Sequence, residues 1–156
     1  MAIRNIVKQG DPCLEKVCRP VTEFNARLHC LLDDMVETLA QAEGAGLAAP
    51  QVGIVRRVAV IIDGEGGYIE LVNPVITREE GIQEGPEGCL SVPGRYGIVD
   101  RPMNVTVQYQ DRFGAEHTID LEEFLARAAC HEIDHLDGKL YVRLVKEYLN
   151  PEDLAE

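Results

Sequence analysis

Apolar residues recur with helical spacing in the first third of the chain. They form one stripe at steps of three and four: Phe24, Leu28, Leu31, Met35 and Leu39. Residues four and three apart lie on the same side of a helix, so this stripe predicts an amphipathic helix within residues 25–46. Gly44 and Gly46 are expected to stop it.

Three β-branched runs follow this helix, at residues 56–62, 68–77 and 104–111. Gly, Asp and Pro separate them, which is typical of strands bounded by turns. Residues 111–120, DRFGAEHTID, predict a hairpin turn and a further strand.

A second helix is predicted from about residue 121 to residue 136. Asp120 stands at a suitable N-cap position, and Glu123 three residues later completes an acidic variant of the capping box. Gly138 is expected to end the helix.

Two helices that flank a block of strands predict an α+β fold, with antiparallel strands packed around the second helix. A chain of 156 residues is long enough for one domain, so residues 1–156 are expected to form a single unit. A short acidic tail begins at about residue 146, and a helical turn is expected there before Pro151.

The amino-acid composition limits the kinds of binding partner expected for this protein. The chain has 27 acidic and 15 basic residues, a net charge of −12, which argues against a surface for nucleic acid or anionic membranes. No apolar run approaches the roughly 20 residues of a membrane span, and the first residues do not resemble a signal peptide. Five cysteines without a CxxC spacing predict free thiols in a reducing cytoplasm.

The second predicted helix carries an HExxH pattern, residues 131–135. His131 and His135 are one turn apart, a spacing suited to two ligands of one metal ion. Glu132 is rotated by about 100° from His131, so its carboxylate is placed beside such an ion. The alternative is that both histidines are satisfied core residues.

No histidine follows His135, and Glu147 is the only acid between residues 139 and 151, in an unconvincing context, so the third ligand is expected upstream. Cys89 is an upstream candidate, in the stretch GPEGCLSVPG, where Pro93 and Gly94 predict a turn. A thiolate is a good ligand for a transition metal. The alternative is a buried, inert cysteine.

Three motifs together resemble the signatures of bacterial peptide deformylases: GAGLAAPQVG at residues 44–53, EGCLS at residues 87–91 and HEIDH at residues 131–135. The resemblance extends over roughly residues 3–145. It implies an enzyme that removes the formyl group from the N-terminal formylmethionine of new polypeptides, giving formate and a free N-terminal methionine.

The resemblance also implies site residues. Metal ligands would be Cys89, His131 and His135, and catalytic groups would be Glu132, the Gln51 side chain and the Leu90 N–H. The implied cofactor is one divalent ion, Fe(II) above all, although zinc, nickel or cobalt suits the same ligands. Three ligands leave one position open for water or substrate.

The substrate-binding residues expected from this pattern are Ala45, Gly46, Phe124 and Ala128, the last two on the histidine face of the helix. Glycine permits a close backbone approach, which suits the small formyl group. Many relatives have Ile or Val where this chain has Ala45, so its cleft is expected to be slightly wider.

Support for the metal ligands is expected from Glu87 and Arg101, as a carboxylate–guanidinium pair that braces the Cys89 loop. Asp134 is expected either to orient a histidine or to brace the fold. Many relatives have Gln where this chain has Cys130, which is predicted to pack in the core; no role follows for Cys13, Cys18 and Cys30.

Four functions remain open at the level of sequence. A deformylase would act on N-formylmethionyl nascent peptides in the bacterial cytoplasm, with at most transient ribosome contact, because the tail is short and acidic. A related amidase would take another N-acyl substrate, and an HExxH peptidase would leave Gln51 and Cys89 unexplained. A catalytically silent binding module would leave Glu132 unexplained, because purely structural metal sites usually have four protein ligands.

Overall fold

Helices and strands of the computed structural model are described here for residues 2–149. The two α-helices are α1 (Ala26–Ala42) and α2 (Glu123–Leu136). The strands are β1 (Gly46–Ala48), β2 (Val58–Ile62), β3 (Tyr68–Glu80), β4 (Gln83–Cys89), β5 (Val92–Arg101), β6 (Asn104–Gln110), β7 (Glu116–Glu122) and β8 (Glu147–Tyr148). Short 3₁₀ helices occupy Pro12–Glu15, Ala49–Val52 and Tyr141–Arg143.

The strands form two antiparallel sheets. One has the order β1-β2-β3-β6-β7 and the other the order β4-β5-β8. The predicted α+β class with antiparallel strands is therefore confirmed. In the part of the chain that the structure describes, no helix is both long and apolar enough to cross a membrane.

Helix α1 forms where the apolar stripe predicts it. The Asn25 side chain caps its first turn by accepting a hydrogen bond from the Leu28 N–H, at 3.1 Å. The stripe is buried from Leu28 to Leu39 against strands β1 and β2. The prediction that glycines stop the helix is wrong, because Glu43 adopts the left-handed C-cap conformation, with φ of 56°.

Helix α2 begins at Glu123, and the predicted N-cap at Asp120 is wrong. Asp120 belongs to strand β7, where its carboxylate accepts a hydrogen bond from the Thr106 hydroxyl at 2.6 Å. Pairing of β7 with β6 continues to Glu122, so tertiary strand pairing overrides the local capping signal. Glu122 takes the N-cap position without a side-chain hydrogen bond.

The predicted cysteine ligand lies at the end of strand β4, which forms a hairpin with β5. Cys89 ends β4 and faces Val92 across the hairpin, which places the turn at Leu90 and Ser91. The turn predicted at Pro93 and Gly94 is therefore wrong, since both residues lie within β5.

The start of the tail is a strand. Glu147–Tyr148 pairs with β5 through Gly97 and Ile98, so the helical turn predicted there is wrong for the residues that the structure describes. Residues 150–156 of the predicted tail lie outside the described part.

Helix α2 connects the two sheets. Ala129, Cys130 and Ile133 pack in a core cluster with residues of the five-stranded sheet, including Leu71 and Val107. The other side of the helix carries His131 and His135, which contact residues of β4. The hydrophobic packing of one side therefore holds the polar side against the end of β4.

Candidate metal centre

Cys89, His131 and His135 come together between β4 and α2. One potential ligand atom of each lies within 4.8 Å of the others. The Cys89 Sγ and the His135 Nε2 are 3.2 Å apart, and the two imidazole centroids are 4.9 Å apart. The helical spacing of the histidines and the strand end at Cys89 thus produce one cluster.

The donor set fits a transition metal. The His131 Nδ1 is held by the Glu87 carboxylate at 2.6 Å, which leaves its Nε2 for a ligand bond, and the His135 Nε2 already faces the Cys89 sulfur. One thiolate and two imidazoles suit zinc, iron, cobalt or nickel. Three ligand residues are found among residues 2–149, the number typical of a catalytic site.

Glu132 lies beside this cluster and is almost fully buried, with 3% of its surface exposed. Its Oε2 faces the backbone of Gly46, and its Oε1 has no hydrogen-bond partner among the described residues. Burial raises the pKa of the Glu132 carboxyl to about 7. A carboxyl group with that pKa is suited to accept and release a proton near neutral pH.

Gln51 is buried beside the Cys89 end of the cluster. Its Oε1 accepts a hydrogen bond from the Ala48 N–H at 2.9 Å, which orients the amide. Its Nε2 donates to the Ser91 hydroxyl at 3.1 Å and lies 3.6 Å from the Cys89 sulfur. Leu90 directly follows Cys89, in the hairpin turn. A side-chain donor and the hairpin turn thus lie next to the same sulfur.

A cavity of about 500 Å³ opens over the cluster. Ten of the residues predicted for the site line it: Ala45, Gly46, Gln51, Glu87, Cys89, Leu90, Phe124, Ala128, His131 and Glu132. Ala128 is buried in its wall, whereas Phe124 is 56% exposed. His135 and Arg101 do not line it, since His135 is fully buried and Arg101 lies behind Glu87.

Glu87 and Arg101 form the predicted ion pair. Arg101 donates through Nε to Oε1 at 3.0 Å and through Nη2 to Oε2 at 2.6 Å. Burial opposes ionisation of Glu87, but the hydrogen bonds from His131 and Arg101 lower its pKa to about 2. Asp134, whose role the sequence leaves open, accepts a hydrogen bond from the Arg101 Nη1 at 2.6 Å and thus braces the fold.

Sequence reasoning missed Arg127, Ser91 and Tyr141. Arg127 donates to Glu87 at 3.0 Å, and Tyr141 packs its ring 5.8 Å from that of His131. Arg127 precedes His131 by one helical turn, and this spacing is the signal that could have identified it. Cys130 packs in the core, where the sequence predicts it.

Comparisons with known proteins point to one protein family. Residues 3–150 match the family model of polypeptide deformylase. A peptide deformylase of Caldanaerobacter subterraneus subsp. tengcongensis is 55% identical over 154 residues, which are 99% of this chain and 96% of the relative.

Solved structures give the same result. The crystal structure of a peptide deformylase from Legionella pneumophila is 43% identical with a TM-score of 0.88, over 96% of this chain and 88% of that one. The peptide deformylase from Synechococcus elongatus, in complex with actinonin, is 36% identical with a TM-score of 0.87, over 97% of this chain and 82% of that one. The chain therefore belongs to the polypeptide deformylase family.

Proposed function

We propose that this protein is a metal-dependent hydrolase that removes the N-formyl group from the formylmethionine of newly made polypeptides. The products are formate and a free N-terminal methionine. One observation carries the proposal: Cys89, His131 and His135 converge to within 4.8 Å beside a cavity that Glu132 and Gln51 also line. The silent-module and peptidase alternatives do not account for Glu132 and Gln51 at the same site.

The crowding around Gly46 supports a small acyl group. A Cβ added to Gly46 would lie 2.6 Å from the Glu132 Oε2, so no side chain fits between this backbone and the carboxylate. Little room is left there for an acyl group larger than formyl. The methionine side chain would lie in the cavity, against Phe124 and Ala128.

Each residue of the site has a separate role in the proposed hydrolysis. When bound, the metal ion acts as a Lewis acid that brings the pKa of a water toward about 7 in favourable sites. Glu132 takes a proton from the attacking water at a carboxylate oxygen and passes it to the leaving amine. The Gln51 Nε2 and the Leu90 N–H donate to the oxygen of the former formyl carbonyl, where one such donor contributes about 3 kcal/mol.

The proposal also covers the metal ion, the extent of the catalytic domain and the substrates. We assign one divalent ion, Fe(II) above zinc, nickel or cobalt, held by Cys89, His131 and His135. We assign residues 1–156 to a single catalytic domain with its acidic tail from about residue 146. Its substrates are nascent N-formylmethionyl peptides in the bacterial cytoplasm, with at most transient contact with the ribosome.

The test is amine release from a short N-formylmethionyl peptide by anaerobically Fe(II)-loaded protein, with Glu132→Ala measured beside it. We expect fast release by the parent and a loss of at least about 100-fold in the variant, which removes the proton carrier. N-acetylmethionyl peptide is the matched control substrate. Turnover of the acetylated but not the formylated peptide would replace the proposal by a related amidase.

A further inference from the structure

A buried cluster of charges adjoins the candidate metal centre. Glu87 of β4 is at its middle, and the side chains of Arg101, Arg127 and His131 all bond to it. These four side chains are only 4–7% exposed. Ionic groups at this depth are costly unless every one is paired, so the cluster is a specific arrangement.

The two oxygens of Glu87 are held by two residues of the same helix. Oε1 accepts a hydrogen bond from the Arg127 Nη1 at 3.0 Å, and Oε2 accepts one from the His131 Nδ1 at 2.6 Å. Arg127 and His131 are four residues apart on α2 and therefore lie on one side of it. Helix α2 therefore donates a hydrogen bond to each of the two carboxylate oxygens.

These two hydrogen bonds join β4 to α2. The metal ligands come from both elements, since Cys89 ends β4 while His131 and His135 belong to α2. Glu87 is two residues before Cys89 on the same strand, so a displacement of one carries the other. The bond from Arg127 therefore influences the distance between the thiolate and the imidazoles.

We propose that Arg127 is a positioning residue for the metal centre. With His131 it clamps Glu87, orients the His131 ring with Nδ1–H toward the carboxylate and Nε2 toward Cys89, and holds the three ligands in register. This inference rests on the proposed metal site and extends it to a residue outside the ligand set. Arg101 holds the same carboxylate from β5, whereas Arg127 holds it from the ligand helix itself.

Gly85 makes room for this arginine. A Cβ on Gly85 would meet the Arg127 Nη2 at 3.3 Å, tighter than an ordinary contact. Arg127 also contributes to the cavity wall, so a role in substrate binding has to be separated from a role in positioning. Metal affinity measured on Arg127→Met separates them: the variant keeps a flexible apolar stem and removes the guanidinium, and only loss of the positioning role weakens metal binding.

The experiment is a Co(II) titration of metal-free parent, Arg127→Met and Arg127→Lys, followed by competition with a chelator and by the thiolate–cobalt absorption bands. We expect Arg127→Met to bind Co(II) about 10- to 100-fold more weakly with altered bands, as for other supporting residues of metal sites. Lysine should restore part of the affinity, because its ammonium replaces one donor. Arg112→Met is the control, since Arg112 pairs with Asp33 and Glu70 outside the cavity; its affinity should equal the parent's.

The outcomes separate the two proposals. Unchanged affinity and bands in Arg127→Met, with only a raised KM, would make Arg127 a wall of the cavity and overturn the clamp. Failure of the parent to bind Co(II) would overturn the metal site itself. If Arg127→Met does not fold by circular dichroism, Gly85→Ala takes its place: it presses on Nη2 and should weaken Co(II) binding in the same direction, and an unchanged affinity would count against the clamp.

Discussion

The carboxylate of Glu132 rests on the backbone of Gly46: a Cβ built on that glycine would lie 2.6 Å from Oε2 and 2.8 Å from Cγ of Glu132. Both residues line the cavity over Cys89, His131 and His135. The absence of a side chain at Gly46 therefore leaves space for Glu132, the residue proposed to carry the proton.

Gly46→Ala should displace Glu132 while the three ligands keep their positions. A misplacement of a catalytic group by about 1 Å costs roughly 100-fold in rate, so kcat should fall by about that factor. The measurement is steady-state deformylation together with metal content per chain, which should stay at the parent's value.

Gly67→Ala is the matched control for that substitution. Its Cβ would also meet a carboxylate at 2.6 Å, that of Asp63, but in a turn that does not line the cavity. We expect unchanged turnover for this variant. Equal turnover by Gly46→Ala and the parent would show that Glu132 does not need its present position.

The clustering of the three proposed ligands could be predicted from the sequence, because each depends on local geometry or on a short motif. Two histidines four apart meet on any helix, and Cys89 is identified by its motif. By contrast, β4 and β5 are rich in Gly, Glu, Arg and Pro, and they lack the β-branched alternation that marks a strand. These two strands form because they pair with each other and because β4 packs against α2. Such tertiary contacts cannot be read from the local sequence.

The wrong predictions at the ends of helices and strands also result from tertiary contacts. The Asp120 capping signal is present, but pairing with β6 extends β7 past it to Glu122. Similarly, Glu147 and Tyr148 become a strand because the edge of β5 is available beside them. Arg127 was missed because a charged residue on a helix is usually solvated; its spacing of one turn before His131 points to the site, but its burial against Glu87 follows from the fold.

Gln51→Glu should reduce turnover with little loss of structure. The substitution keeps an oxygen to accept the Ala48 N–H but replaces the Nε2 donor near Cys89. Loss of one such donor typically lowers kcat by about 100- to 1,000-fold. We expect kcat to fall in this range while KM changes little and the metal stays bound.

Ser91→Ala is the control for Gln51, because it removes only the hydroxyl that accepts from the same Nε2 at 3.1 Å. Its effect on kcat should be much smaller. If the two variants lose the same activity, the hydrogen bond to Ser91, and not donation to the substrate, is what Gln51 supplies.

Cys18 should resist alkylation in the folded protein up to high pH. Burial raises the pKa of its thiol to about 11, and the residue is 4% exposed in a cluster with Ala48, Ala59 and Leu136. The fold favours the neutral thiol, so this stabilisation is complete below the ordinary pKa near 9 and is lost as pH rises through about 11.

Mass spectrometry after iodoacetamide treatment at about pH 8.5 checks this, since only a thiolate reacts. Exposed Cys30 should be labelled first, and Cys18 only after unfolding in urea. Labelling of Cys18 in the folded protein as fast as Cys30 would contradict the buried environment.

Metal removal should leave the protein folded but less stable. The ligands lie on elements held by their own packing, β4 against β5 and α2 against the five-stranded sheet, so a chelator removes binding energy without removing a core. At an ion concentration of about 100 times Kd, binding stabilises the folded state by about 2.7 kcal/mol. For a chain of this size, that corresponds to a melting temperature lower by roughly 5–10 °C in the metal-free protein.

Two cysteine variants make the metal prediction specific. Cys89→Ala should bind no stoichiometric ion and should melt at the same temperature with and without chelator. Cys130→Ala has the same change of side chain next to His131, but Cys130 packs in the core, so this variant should melt lower and still respond to the chelator like the parent. Retention of one ion per chain by Cys89→Ala, measured by elemental analysis, would remove Cys89 from the ligand set. Because the two histidines are unchanged in that variant, such a result would also mean that another group completes the site.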